Sequence, residues 1–184
     1  MKRRILILII AAAMLSAAAI GTLAYFTTAK TAVNVITSGS VSMLLHDELP
    51  DGTVFPADGL HDLMPGDTAG KVVYVENVGN NAFYTRVRLD NIMLSAQGSE
   101  LDADKIQLDI DDTNWALGSD GWYYYLSPVE KDGETTPLFT QVTFSPEMGN
   151  GYMNAEVRIE IVAQAVQQAN NGATVWQAAG WPAA

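Results

Sequence analysis

Phe83–Leu89 reads FYTRVRL, and its alternation decides the fold class. Phe83, Thr85, Val87 and Leu89 fall on one side; Tyr84, Arg86, Arg88 and the following Asp90 fall on the other. A period of two with one apolar and one polar side marks a half-buried strand of an antiparallel sheet. The pattern recurs along the chain. Ile106–Ile110 sets Ile106, Leu108 and Ile110 against Gln107 and Asp109. Ala155–Ala165 sets Ala155, Val157, Ile159, Ile161, Ala163 and Ala165 against Glu156, Arg158, Glu160 and Gln164, interrupted by Val162. Val41–His46 groups Val41, Met43 and Leu45, and Leu138–Phe144 adds a further strand. Val72–Val78 is an apolar run broken by Glu76, the composition of a strand buried on both faces.

Turn chemistry separates these runs. Leu49–Gly59 (LPDGTVFPADG) reads as loop around a short strand at Thr53–Phe55. Pro65-Gly66-Asp67 predicts a type II turn, because proline presets φ and glycine supplies the positive φ. Asn77–Asn81 closes another loop. Gly118-Ser119-Asp120-Gly121, between Trp115 and Trp122, predicts a hairpin whose second arm is the aromatic run Trp122–Tyr125. Residues 167–184 read as a tail, a short helix or irregular lid whose Trp176 and Trp181 cover part of the sheet. Eight to ten short strands and no convincing amphipathic helix make an all-β chain. The expected architecture is a jelly-roll-like antiparallel β-sandwich over residues 25–184, preceded by an N-terminal signal or transmembrane helix.

That N-terminal segment has three parts. Lys2, Arg3 and Arg4 precede Ile5–Ile20, sixteen residues in which only Ser16 is polar. Thr22-Leu23-Ala24 then supplies small residues at the first and third positions of a signal-peptidase site. Residues 1–24 are therefore expected to be a signal peptide cut between Ala24 and Tyr25. The competing reading is a retained membrane anchor, since Ile5–Phe26 can be stretched to the roughly 20 residues that a spanning helix needs. Tyr25–Ile36 (YFTTAKTAVNVI) follows with no Pro, no Gly and one charge, rich in β-branched and aromatic residues. It reads as a sticky edge strand at the start of the exported chain.

Of the 10 Lys+Arg, three stand before the apolar leader, leaving 7 against 21 Asp+Glu. So acidic a chain offers no footprint for phosphate backbones, and nucleic acid is not an expected partner. The absence of cysteine excludes thiol nucleophiles, thiolate metal sites and iron–sulfur clusters. A domain of this length buries about two-thirds of its unfolded surface and can dispense with disulfide staples.

No catalytic constellation emerges. The two histidines, His46 and His61, each precede an aspartate but lack the i, i+4 helical spacing of zinc proteases. A metal shared between them requires their loops to converge. Asp109-Ile110-Asp111-Asp112-Thr113-Asn114 alternates oxygen donors but lacks the central glycine and terminal glutamate of a calcium loop. It reads as a solvated strand end. There is no G-x-S-x-G and no phosphate-binding glycine loop. Trp115 and Trp122–Tyr125 suit either a packed hairpin or, less readily, a glycan platform. No catalytic, cofactor-binding or metal residues are assigned.

Gly21-Thr22-Leu23-Ala24-Tyr25-Phe26, followed by Ser38-Gly39-Ser40-Val41, resembles the leader and mature start of the TasA/camelysin family. Leu63-Met64-Pro65-Gly66-Asp67 and Val75-Glu76-Asn77-Val78-Gly79-Asn80 are similar to that family's turn and following strand. Trp122 through Gly133-Glu134-Thr135-Thr136-Pro137-Leu138-Phe139 follows the same plan. The resemblance implies export through a SipW-type signal peptidase and a jelly-roll domain that polymerises head-to-tail into biofilm-matrix or cell-surface fibres. Other matrix or surface components are further expected partners. It also implies that the free N-terminal strand of one subunit completes the sheet of the next. On this chain that strand is Tyr25–Ile36, with Tyr25, Phe26, Ala29, Val33, Val35 and Ile36 as its assembly residues. The camelysin name carries a metallopeptidase activity, for which this chain has no zinc-ligand motif. Two alternatives stand beside the fibre reading: a camelysin-like cell-surface metallopeptidase using His46, His61 and nearby carboxylates, and a monomeric surface glycan-binding module. N-terminal sequencing of the exported protein should begin at Tyr25; a start at Met1 would identify a retained anchor.

Overall fold

The computed structural model describes residues 32–34, 41–56, 63–94, 100–149, 152 and 155–182. The expected signal or transmembrane helix lies outside them. Among the described residues no helix is long and apolar enough to cross a membrane.

The chain is all-β. Among the described residues the strands are β1 (Ala32–Asn34), β2 (Met43–Glu48), β3 (Thr68–Asn77), β4 (Phe83–Leu94), β5 (Ile106–Leu108), β6 (Trp115–Leu117), β7 (Tyr123–Tyr125), β8 (Phe139–Phe144) and β9 (Glu156–Gln167). The described residues add two single-turn 3-10 helices, Ala103–Lys105 and Val175–Gln177. One sheet has the order β1-β9-β4-β7-β6 and the other β2-β3-β8-β5. Every ladder is antiparallel except that of β1 on β9.

The two sheets share one core. Val73 and Val75 of β3 and Phe139, Val142 and Phe144 of β8 pack in the same cluster as Phe83 and Val87 of β4 and Val157, Ile159, Ile161, Ala163 and Ala165 of β9. The alternating positions read from the sequence thus form the inner faces of a sandwich, as period-two patterning requires. Trp115 of β6 closes one side of this core, donating its indole N–H to Thr136 O at 3.1 Å.

Two strands depart from their expected exposure. Val72–Val78 reads as buried on both faces, yet β3 alternates strictly, with Ala69, Lys71, Val73, Val75 and Asn77 buried and Val72, Tyr74 and Glu76 half-exposed. The hydrophobic run is interior on one face only, because the outer face of this antiparallel sheet meets water. Conversely, the polar side of Phe83–Leu89 is not all solvated. Tyr84 and Arg86 are buried beneath the tail, where Tyr84, Trp122, Tyr124, Val166 and Val175 form a second cluster with Trp181 packed against it. The short strand expected at Thr53–Phe55 is reduced to one bridge, Glu48↔Val54.

The Pro65-Gly66 turn forms as expected. Gly66 has φ 91°, and Asp67 N–H donates to Met64 O at 3.0 Å. Gly66 N–H also donates to Phe144 O at 2.9 Å, tying the turn to the end of β8.

Phe139 is completely buried, so Phe139→Ala should cost about 3–5 kcal/mol in urea unfolding. The exposed Met64 replaced by alanine should change stability by under about 0.5 kcal/mol. Equal effects would overturn the assignment of Phe139 to the core.

Candidate functional site

β9 lies within the first sheet. One edge pairs with β4 through twelve positions, from Phe83↔Gln167 to Leu94↔Glu156. The other edge receives β1 in parallel, with Ala32↔Ile161, Val33↔Val162 and Asn34↔Ala163. Among the described residues, β1 pairs with three of the twelve residues of β9. Unpaired N–H and C=O groups on a sheet edge accept any extended segment, from the same chain or another. Of the expected assembly residues, Val33 falls within β1. Tyr25, Phe26, Ala29, Val35 and Ile36, and the expected cleavage pair Ala24-Tyr25, lie outside the described residues.

The open face of the second sheet carries an imidazole held by two acids. His46 Nδ1 is 2.8 Å from Glu48 Oε1, and Nε2 is 2.7 Å from Glu76 Oε2. Its ring stacks parallel on Tyr74 at 4.3 Å, and Tyr74 OH lies 3.4 Å from Glu48 Oε2. Ionised carboxylates only accept, so both contacts are satisfied only when both ring nitrogens carry protons. Burial pushes the imidazole pKa down, but the hydrogen bonds and charges of Glu76 and Glu48 outweigh it and hold it above its ordinary value. His61 lies outside the described residues. Among those residues, no group of three or more His, Asp or Glu is arranged to hold a metal ion.

The acidic run is occupied by hydrogen bonds, Asp109 across to β8 and Asp111 within its own turn and to Thr136. Asp109 accepts from Thr140 N–H, Thr140 Oγ1–H and Gln141 N–H at 2.8, 2.5 and 2.6 Å. Burial raises its carboxyl pKa, but these donors overcome that and hold it below the ordinary range. Asp111 is lowered chiefly by the Asn114 side chain and then by Thr136 Oγ1–H, both at 2.8 Å. Asp109 ties the end of β5 to β8 and Asp111 fastens the turn that follows, consistent with a strand end leading into a turn.

The hairpin aromatics are largely enclosed. Trp115, Trp122 and Tyr124 are buried, so a glycan would meet only the half-buried Tyr123 and Tyr125. Arg86 lies between Trp122 and Trp181, its guanidinium 4.3 and 4.6 Å from their ring centres. Its Nε and Nη2 both donate to Gln164 Oε1 at 3.0 and 2.7 Å, and Nη1 donates to Tyr124 OH at 2.9 Å. Asp120 Oδ2 completes the group, 3.2 Å from Nη1 and 2.7 Å from Tyr124 OH. The stack clamps the tail onto β4 and β7.

Sequence reading missed one pair. Lys71 and Asp47 are both buried, with Nζ 2.5 Å from Oδ1. The signal was present. Extending Met43-Leu45 by two reaches Asp47, and stepping back two from Val73 reaches Lys71, so the alternation itself turns both charges inward.

Compared with known families and with curated proteins, the chain matches none. The geometry offers a strand-accepting edge and two charge clusters. Folding raises the His46 pKa, so its stabilisation is complete below about pH 6.5 and is lost as pH rises through the folded value. Urea stability should fall by under about 1 kcal/mol over that rise, and His46→Gln should flatten the dependence. An unchanged slope in the variant would remove His46 as its source.

Proposed function

We propose that this chain is an exported structural protein, not an enzyme, that assembles into fibres of a biofilm matrix or cell surface. Each subunit donates its N-terminal strand, residues 25–36, to the sheet of the next. The observation that carries this reading is the parallel seating of Ala32–Asn34 on the edge of β9. The described part of this ladder spans three residues, each of its hydrogen bonds worth about 0.5–1.5 kcal/mol net. The same ladder made with a neighbouring copy has equivalent local pairing, so in-chain and between-chain seating differ little in hydrogen-bond energy. Donation from one copy to the next is head-to-tail and does not close on itself, and repetition therefore gives a filament.

The jelly-roll form of the sandwich belongs to the same reading. Its support is the strand order: β9 lies between β1 and β4, β8 between β3 and β5, and the chain crosses between sheets from β3 to β4 and from β8 to β9. The leader tethers the arm until a SipW-type peptidase cuts after Ala24, which makes cleavage the trigger of assembly. Other matrix or surface components are the remaining partners, and the net charge of −11 argues against nucleic acid among them.

The test compares three forms by sedimentation and electron microscopy: the uncut chain, residues 25–184, and residues 37–184. Filaments should form only from residues 25–184, and a synthetic peptide of residues 25–36 should shorten them. Normal filaments from residues 37–184 would overturn the proposal.

A further inference from the structure

We propose that Lys71 and Asp47 condense to an intramolecular isopeptide bond, a covalent staple between β2 and β3. The proposal is independent of the fibre reading. Four observations carry it. Both side chains turn into the core, 2% and 4% exposed, with Nζ and Oδ1 2.5 Å apart. The buried Phe55 covers Nζ, its ring centre 3.9 Å away, held there by Phe55 N–H donating to Asp47 O at 3.0 Å. Lys71 stands where the pairing of β3 with β8 slips by one residue, between Gly70↔Gln141 and Val73↔Phe139. The alternation of β3 runs unbroken through this slip, so Lys71 keeps its inward side. Beside Lys71 is a cavity of about 20 Å³ lined also by Phe55, Val157 and Ile159 among others, sufficient for one water molecule.

The site supplies what the condensation needs. Removing two ions from water is costly and their attraction repays it poorly, so a reaction that abolishes both charges is favoured where bulk water is excluded. Transfer of one proton from the Lys71 ammonium to the Asp47 carboxylate makes a neutral amine and a neutral acid together. A desolvated lysine amine is an activated nucleophile, and contact at this distance replaces a bimolecular encounter. The nitrogen lone pair attacks Asp47 Cγ and forms the C–N bond. The C–O bond to the hydroxyl then breaks, Nζ gives up one proton, and one water leaves. Nothing is oxidised or reduced. The product links residues 47 and 71 and constrains the unfolded chain as a disulfide would, in a protein without cysteine. It also pins β2, an edge strand of its sheet.

The experiment is intact mass spectrometry of the full chain in denaturant, followed by fragmentation of its digest. The mass should be lower by one water than the sequence from its measured N-terminus requires, and a fragment should join the peptides bearing Asp47 and Lys71. Lys71→Arg and Asp47→Ala should each restore the full mass. The double variant Lys71→Met/Asp47→Leu, which leaves no buried charge, should fold and do the same. A wild-type chain of full mass would overturn the proposal. So would a missing water mapped to an Asp-Gly succinimide at Asp51, Asp58, Asp120 or Asp132 with no joined peptide.

Discussion

Twelve consecutive residue pairs between β4 and β9 set the geometry on which the rest of the molecule depends. Successive side chains of a strand point to opposite faces, so a slip of one position would turn the whole apolar set outward. In the register adopted, Phe83, Val87, Ile159, Ile161 and Ala163 meet the other sheet, while Tyr84, Arg86 and Gln164 face the tail. The same register leaves the far edge of β9 facing β1. Core, tail clamp and strand-accepting edge are three consequences of one ladder.

The two outer faces are finished differently. Over β4 and β7 the tail lays Val175 and Trp181 on Tyr84, Trp122 and Tyr124, and Arg86 fills the space between two indoles. Five N–H donors in a planar fork allow Arg86 to bond Gln164, Tyr124 and Asp120 while its flat faces stack. That combination makes burial of an otherwise exposed strand face tolerable. Over β2 and β3 the face stays open, and His46 bridges Glu48 and Glu76 across the two strands. Asp47, between these residues in sequence, points the other way and meets Lys71 inside. The β2–β3 ladder is therefore tied by charge on both sides, one wet and one dry.

Much of this was legible along the chain, and the failures have specific causes. The alternation in Phe83–Leu89 and Ala155–Ala165 named the inward residues correctly, because burial on one face of a strand imposes a period of two whatever lies opposite. Gly66 declared its turn because its positive φ is favoured by the residue type. Val72–Val78 misled because β-branched residues suit the outer face of a strand as well as the inner one. Arg86 and Tyr84 looked exposed because the segment that buries them lies about ninety positions away.

By itself, then, the amino-acid order determined an acidic, cysteine-free, all-β chain, the inner face of its main strands, and an N-terminal stretch suited to pairing. Those properties are local: they follow from side-chain volume, charge and backbone preference within a few residues. Only the tertiary structure decided that β1 lies parallel on β9, that the tail closes over Arg86, and that Lys71 meets Asp47 away from water. Each depends on which segments distant in sequence become neighbours, which no local preference specifies.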